Sequence, residues 1–547
     1  MILDFLLFPI FLGVIYAVGA GVLRIAGGGN FKHDDYPSWF YFTVAIFTIG
    51  FTAVLFNFFA GVASPLFYVI IAGLFIVGAV QLRCCDSKDF YEVIILGLIL
   101  APFAANMPPG PDAGLYHLPH QLWIRDEKIV FGLANFNTRF GFSSFSEYVL
   151  APLWIHEQFK LLSYMAATYF LILLLFLTRM VRSSSAATAA LGAITLVTLI
   201  FNSKYFVIGY TSTDTPCGVF FAIAFFCGFR LLSKDSAIQK KHLVLFFFSA
   251  LLTFFYKANG VIMFLWVLFV IIHLLRTRRI TWGTLTPASI LPALLALIWL
   301  VRGVIISGCL LYPMVSTCLN VPWVAAKAAV VNADAVTVWA RQQDAAPQLL
   351  PDWFAVWWWP HNWQFCLYQL ATVVFGAGLY RYFCKERLGA CRDIALSALL
   401  FTLLVLSLWF IKSPTPRFGI GVFTILPAMI AINVFDIRRL PHFTFSRLDQ
   451  FCRLMEAKTV VSTLAGILVV VLAVKLVIVD AVGGRNRTYL HFTMLTVATT
   501  PTQPYGSFGV KPNPIELAGC WAVKYCSPDY TTNDTIREKY GYKYFHE

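Results

Sequence analysis

Apolar stretches of about 20 residues recur along nearly the whole chain, and they decide what it can fold into. Lipid offers the backbone no hydrogen-bond partner, so a crossing segment must satisfy its own amides and carbonyls, as a helix does. Such stretches fall near 2–24, 38–60, 65–83, 90–107, 160–179, 186–207, 216–233, 243–256, 260–276, 287–307, 363–381, 393–412, 418–436 and 459–480. They predict an all-α polytopic membrane protein with about fourteen transmembrane helices. Composition agrees: 59% of the residues are hydrophobic and 12% charged, where a soluble chain carries about 25% charged residues. The first stretch is long enough to span, and no small-residue cleavage site follows it. It is expected to be the first helix and not a signal peptide.

The net charge of +14 would suggest a polyanion partner in a soluble protein. Here its position gives another meaning. Lys and Arg gather in alternate connections: Arg83 and Lys88; Arg179 and Arg182; Arg230, Lys234, Lys240 and Lys241; Arg276, Arg278 and Arg279; Arg381, Lys385, Arg387 and Arg392; and Arg438 to Lys458. By the positive-inside rule these face the cytoplasm, which puts both termini outside. The basic excess is therefore a topology signal, and nucleic acid is not an expected partner.

On the outer side three segments are too long and polar to be turns: about 108–159, 308–362 and the tail 481–547. Loops of that length usually carry function. A transmembrane domain over 1–480 is expected, followed by a tail or small covering domain over 481–547. The first loop opens with a proline-rich helix stop at 108–111, then Asp112, Tyr116, His117, Pro119 and His120; Leu122, Trp123 and Ile129 suggest a short amphipathic helix at the interface. Asn135, Arg139 and their aromatic and hydroxyl neighbours follow, a mixture suited to hydrogen bonding and stacking against a sugar. The second loop holds Tyr312 and a run of tryptophans, among them Trp339, Trp353 and Trp357, which reads as an aromatic belt or an acceptor platform. None of the twelve cysteines has metal spacing. Cys309 with Cys318, and Cys520 with Cys526, lie outside, where each pair is close enough to form a disulfide or to remain as thiols.

Charges also stand at the outer ends of apolar stretches: Asp214, Lys257 and Arg417, with Arg302 inside the apolar run 297–306. A charge there is costly and is by default a functional hypothesis; snorkelling to the headgroups is the plain alternative. Cations at one level of the bilayer suit a lipid phosphate, whose oxygens accept paired bonds from arginine.

A carboxylate early in the first large outer loop, an interfacial helix after it and many spanning helices resemble the GT-C superfamily of glycosyltransferases. Asp112-x-x-x-Tyr116-His117-Leu118-Pro119, Gly132-Leu-Ala-Asn135-x-x-x-Arg139-x-Gly141-Phe142, Ser307-Gly308-x-x-Leu311-Tyr312-Pro313 and Ser413-Pro414-x-Pro416-Arg417-Phe418 are similar to a group of bacterial envelope-polysaccharide membrane proteins. Two features depart from the superfamily: Ala113 follows Asp112 where several branches have paired acidic residues, and the carboxylate loop follows the fourth predicted helix where the first is usual.

The resemblance implies a multi-pass protein of the bacterial cytoplasmic membrane with its active site outside. It would move a sugar from a polyprenyl-phosphate or -diphosphate carrier to a glycan, lipid or protein acceptor. Asp112 would be the general base, with inversion at the anomeric carbon; Arg302, Arg417 and Lys257 would meet the charge growing on the leaving phosphate. His117 and His120 would orient Asp112 or hold the acceptor, alongside Tyr116, Asn135, Arg139, Asp214 and Tyr312. Some superfamily members use a divalent cation, which leaves a metal open here, although His and Asp at this spacing ordinarily hydrogen-bond. An envelope-polysaccharide polymerase or ligase is the nearest alternative, and a lipid-linked-sugar flippase the next. Against transport, the two halves show no clear self-similarity.

Overall fold

The computed structural model describes residues 2–27, 36–82, 87–110, 112–142, 144–155, 159–183, 185–206, 208–233, 238–341, 350–358, 362–383 and 392–435, with parts of 466–475 and two short strands in the tail. It is all-α apart from that tail hairpin, in which Arg537–Lys539 pairs antiparallel with Tyr542–Tyr544. Each of the first thirteen apolar stretches is a helix. Among the described residues, eight helices are long and apolar enough to cross a membrane. Pro65–Gln81, Tyr91–Ala105 and Thr188–Ser203 are shorter apolar helices. Most of the last expected stretch, 459–480, and of the tail, including Cys520 and Cys526, lies outside the described residues.

Burial separates the centre of the bundle from its rim. The apolar window of Lys160–Val181 is 94% buried, whereas those of Trp282–Ser307 and Asp393–Lys412 are 28% buried. The first is therefore a core helix wrapped by protein. The other two present wide apolar faces, including Leu294, Leu297, Leu400 and Leu404, as lipid-facing helices must. Lipid tails are as apolar as these side chains, so close packing has to hold the helices together. Ile2–Gly27 and Pro65–Leu82 meet through small residues: a Cβ added at Gly78 would stand 1.7 Å from the Ala17 carbonyl oxygen, and one added at Gly21 would stand 2.1 Å from that of Leu74.

The loop over 108–159 folds inward and makes no flat skirt. Leu118–Asp126 is a helix, as its pattern predicts, and it is packed within the protein: Leu118, His120, Gln121, Trp123 and Ile124 are all buried. Its polar side is covered as well as its apolar one. The Trp154 indole N–H donates to Gln121 Oε1 at 2.7 Å, and Trp123 packs with Phe136 and Phe140. Asn57 secures the helix end, its Nδ2 donating to the Glu127 carbonyl at 2.8 Å. The second loop is pinned across it. Tyr312, buried, donates from its hydroxyl to the Thr138 carbonyl at 2.8 Å and accepts from Asn332 Nδ2 at 2.8 Å. Asn135 Nδ2 donates to the Trp323 carbonyl at 3.1 Å. Cys309 and Cys318 are joined by a disulfide that closes the first turn of this loop.

Candidate functional site

Three turns at helix ends, far apart in sequence, bring charged residues to one place. The first is the proline-rich stop. It runs beside 208–211, where the Tyr210 N–H donates to the Pro108 carbonyl at 2.8 Å and the Thr211 hydroxyl to the Pro109 carbonyl at 2.7 Å. Two glycines make that approach possible. Gly110 and Gly209 have φ of +94° and +141°, and a Cβ on Gly209 would stand 2.4 Å from both Cα and N of Gly110. Only glycine tolerates this backbone shape without strain. The pairing carries Asp112, just after one turn, towards Asp214, just after the other.

The third turn supplies the cation. After Arg392–Lys412 the chain turns through Ser413–Thr415 and starts again with proline at the first position of Pro416–Gly419, where its missing N–H costs nothing. The turn is clamped by two indoles: Trp409 donates to the Thr415 carbonyl at 2.8 Å and Trp357 to the Pro414 carbonyl. Arg417 then lies between the two carboxylates, with Nη1 3.0 Å from Asp112 Oδ2 and Nε 3.9 Å from Asp214 Oδ2. Asp214 is also paired with Lys257, which leaves the end of Lys240–Tyr256. The two cations sit on aromatic faces: Lys257 Nζ is 3.6 Å from the centroid of Phe418, and the Arg417 guanidinium 4.5 Å from that of Trp339.

The cluster is thus two acids and two bases, partly exposed at the protein surface. Asp112 is 24% exposed at its side chain, Arg417 19% and Lys257 25%, while Asp214 is nearly closed off at 7%. Burial alone would raise the Asp112 carboxyl, but the Arg417 guanidinium, with help from His117 and Arg139, outweighs it and holds Asp112 below the ordinary carboxylate range. Asp112 is therefore a carboxylate at any physiological pH. It stands at the head of Ala113–His117 without a side-chain capping bond, so helix capping does not account for it.

The other expected residues divide. Tyr116 lies beside the cluster, with Arg139 over its ring at 5.6 Å. His117 is buried and bonds Glu147. His120 is buried and stacks on Phe140 at 4.9 Å. Burial pushes His120 down to about 3, so it is neutral. Asn135 and Tyr312 fasten the two large loops together. Arg302 is wholly enclosed: its Nε donates to the Tyr148 hydroxyl at 3.1 Å, and its guanidinium lies over Trp299 at 4.9 Å. Three more residues stand in this region: Glu147, a carboxylate inside the apolar run 145–154 and the sequence's second choice of base with Asp214; Trp339, one of the tryptophans of the second loop; and Phe418, which follows Arg417 in its motif. Among the described residues no three His, Cys, Asp or Glu side chains gather to hold a metal ion.

The model of a domain of unknown function, DUF8201, matches residues 1–424. The chain belongs to the DUF8201 family. That match takes in Asp112, Asp214, Lys257 and Arg417 together, so all four charges belong to the DUF8201 domain, and the tail lies beyond it. No curated protein and no solved structure matches the chain.

Proposed function

We propose that this DUF8201 protein is a membrane glycosyltransferase of GT-C type. In this reading it has about fourteen spans in the bacterial cytoplasmic membrane and transfers a sugar from a polyprenyl-phosphate carrier to an acceptor hydroxyl on the outer side. The observation that carries the proposal is the Asp112–Arg417–Asp214–Lys257 cluster at the outer ends of apolar helices. Without ligand its charges are balanced in pairs. A phosphate at the membrane surface offers Arg417 and Lys257 a stronger, multidentate partner than the carboxylates do. As the guanidinium turns to the phosphate, Asp112 is released beside the reacting centre.

The chemistry follows from that exchange. The acceptor oxygen attacks the anomeric carbon as Asp112 takes the hydroxyl proton. The bond from that carbon to the phosphate oxygen breaks, and the electron pair leaves with the phosphate. Attack from the face opposite the leaving group inverts the configuration. Arg417 and Lys257 stabilise the charge that grows on the phosphate, an electrostatic contribution that is commonly the largest in such reactions. Trp339, 53% exposed beside Arg417, offers a sugar ring a flat apolar face at the mouth of the cluster.

Binding tests the first half of this account. With the protein in nanodiscs, a short-chain polyprenyl phosphate should bind, and the matching polyprenyl alcohol should bind at least about tenfold more weakly, the discrimination that a lost charged hydrogen bond of about 1.5–3 kcal/mol predicts. Arg417→Gln should erase the difference. Equal binding of phosphate and alcohol by the wild type would remove the leaving-group role.

A further inference from the structure

The turn that follows Trp282–Ser307 holds its apolar side chains outward. Leu310, Met314, Val315 and Leu319 are 39%, 53%, 42% and 44% exposed. The shape of the turn accounts for this. Cys309 and Cys318 form an antiparallel bridge as well as a disulfide, and Cys309 is buried among Ala134, Tyr312, Ala325 and Ala329. Side chains alternate across such a pair, so Leu310 and Leu319, each next to a bridged cysteine, point away from the protein. Met314 and Val315 lie at the tip between them. From Gly303 to Ala326 the sequence holds no charged residue. The exposed polar side chains of the turn, Ser316 and Asn320, are neutral.

The backbone suits the same surroundings. An irregular loop does not enter the middle of a bilayer, where unpaired N–H and C=O groups find no partner. At the boundary of headgroups and acyl chains the penalty shrinks as more of the backbone is bonded within the loop. Here Leu310, Leu311, Met314, Thr317, Cys318 and Leu319 all donate their N–H groups inside the turn, at 2.7–3.0 Å. The Thr317 hydroxyl is used as well, donating to the Met314 carbonyl at 2.7 Å. The apolar surface is also continuous with the bilayer-facing one. Leu294, Leu297 and Val301 are exposed on Trp282–Ser307, and Leu310 comes three residues after that helix ends. Trp323 closes the join, its indole N–H donating to the Val304 carbonyl at 2.9 Å, and tryptophan favours the membrane boundary.

We propose that the disulfide-closed turn 308–319 is a lipid anchor, with Leu310, Met314, Val315 and Leu319 set into the headgroup–acyl boundary at the end of Trp282–Ser307. The occupant is lipid and not a protein partner, because the patch extends a lipid-facing helix and carries no charge for a partner to read. The disulfide and the internal bonds fix its shape in advance, so insertion orders little more of the chain. Tyr312 belongs to the same turn and bonds the Thr138 carbonyl, so the anchor holds the first large loop at the membrane too. This inference needs the membrane alone and is independent of the chemistry proposed for the charged cluster.

The test places the photo-crosslinker p-benzoylphenylalanine at Val315 in the full chain. The protein is irradiated in nanodiscs of phosphatidylethanolamine and phosphatidylglycerol, and intact-mass spectrometry counts lipid adducts. The control is the same replacement at Val331, which is 62% exposed but flanked on Ala326–Ala340 by exposed Lys327 and Asp334. To reach lipid there, a charge would have to follow, a penalty worth more than about tenfold in an equilibrium. Adducts at 315 should therefore exceed those at 331 by at least about tenfold. Equal yields at the two positions, or no lipid adduct at 315, would overturn the anchor. Irradiation in native membranes tells lipid from a partner: lipid adducts support the proposal, and a crosslink to a second protein chain in their place refutes it. Should the variant at 315 not fold, the same measurement at Met314 decides.

Discussion

Gly209→Ala is the change most sharply set by geometry, because it strikes the contact that holds the two carboxylates together without touching a charge. The added Cβ would stand 2.4 Å from N and Cα of Gly110 and 2.7 Å from the Pro109 carbonyl carbon, all backbone atoms that no rotamer change can move. The φ of +141° is in itself unfavourable for alanine, by about 1–3 kcal/mol. Separating the turns also weakens the bonds from Tyr210 N–H and the Thr211 hydroxyl, at about 1 kcal/mol each. The sum is roughly 3–5 kcal/mol of local destabilisation, and the helices behind the turns stay packed. Since 1.4 kcal/mol is about tenfold in an equilibrium, amide exchange over 208–214 should speed by at least about 100-fold. Transfer should fall by a similar factor, because a misplacement of about 1 Å is enough for that. Hydrogen-exchange mass spectrometry reads the first effect and donor cleavage the second. Gly73→Ala is the control, since an added Cβ there meets nothing within 4 Å. If Gly209→Ala matches Gly73→Ala in both assays, the turn pairing does not position the site.

Three further outcomes follow. A cysteine replacing Val331, 62% exposed on Ala326–Ala340, should react with an impermeant thiol reagent in whole cells, and one replacing Thr277, between the basic residues Arg276 and Arg278, only after permeabilisation; reversed labelling would sink the orientation. His120 is pushed down to about 3 by burial, so the unfolded chain binds its proton first: stability should fall as pH drops from about 6.5 towards 3. His120→Phe, which keeps the stack on Phe140, should flatten that slope in thermal unfolding at pH 7 and 5, and an unchanged slope would show that His120 is not its source. Arg302→Met should leave polyprenyl-phosphate binding near wild type while Arg417→Met loses it, because Arg302 is enclosed between Tyr148 and Trp299; equal losses would return Arg302 to the phosphate site.

Most of the helical framework was legible because a spanning helix writes its signal locally, as about 20 apolar residues in a row. Asp214, Lys257 and Arg417 were legible for a related reason, since a charge at the end of such a run needs a partner or a function. The identity of the partners was not. Asp112 and Arg417 are 305 residues apart, and their meeting depends on Gly110 packing against Gly209 and on Trp357 and Trp409 clamping the turn before Arg417. No periodicity records such contacts. Leu118–Asp126 was legible as a helix but not as a buried one, because its polar side is closed by Trp154, a residue read only as part of the loop. Arg302 shows the limit most clearly. A cation inside an apolar run looks the same in sequence whether it faces a ligand or lies under an aromatic lid.

The central claim is that Asp112 takes the acceptor's proton in transfer from a polyprenyl-phosphate sugar, and Asp112→Asn tests it most directly. The protein in nanodiscs is given a panel of polyprenyl-phosphate sugars, and release of polyprenyl phosphate is measured alongside thermal unfolding. The asparagine keeps the size and one hydrogen bond to Arg417 but cannot act as a base. The wild type should release polyprenyl phosphate from one of the donors. The variant should fold, bind polyprenyl phosphate at least as well with Arg417 freed of its counter-charge, and turn over about 100- to 10,000-fold more slowly. A well-folded Asp112→Asn protein that releases polyprenyl phosphate at the wild-type rate would contradict the assignment.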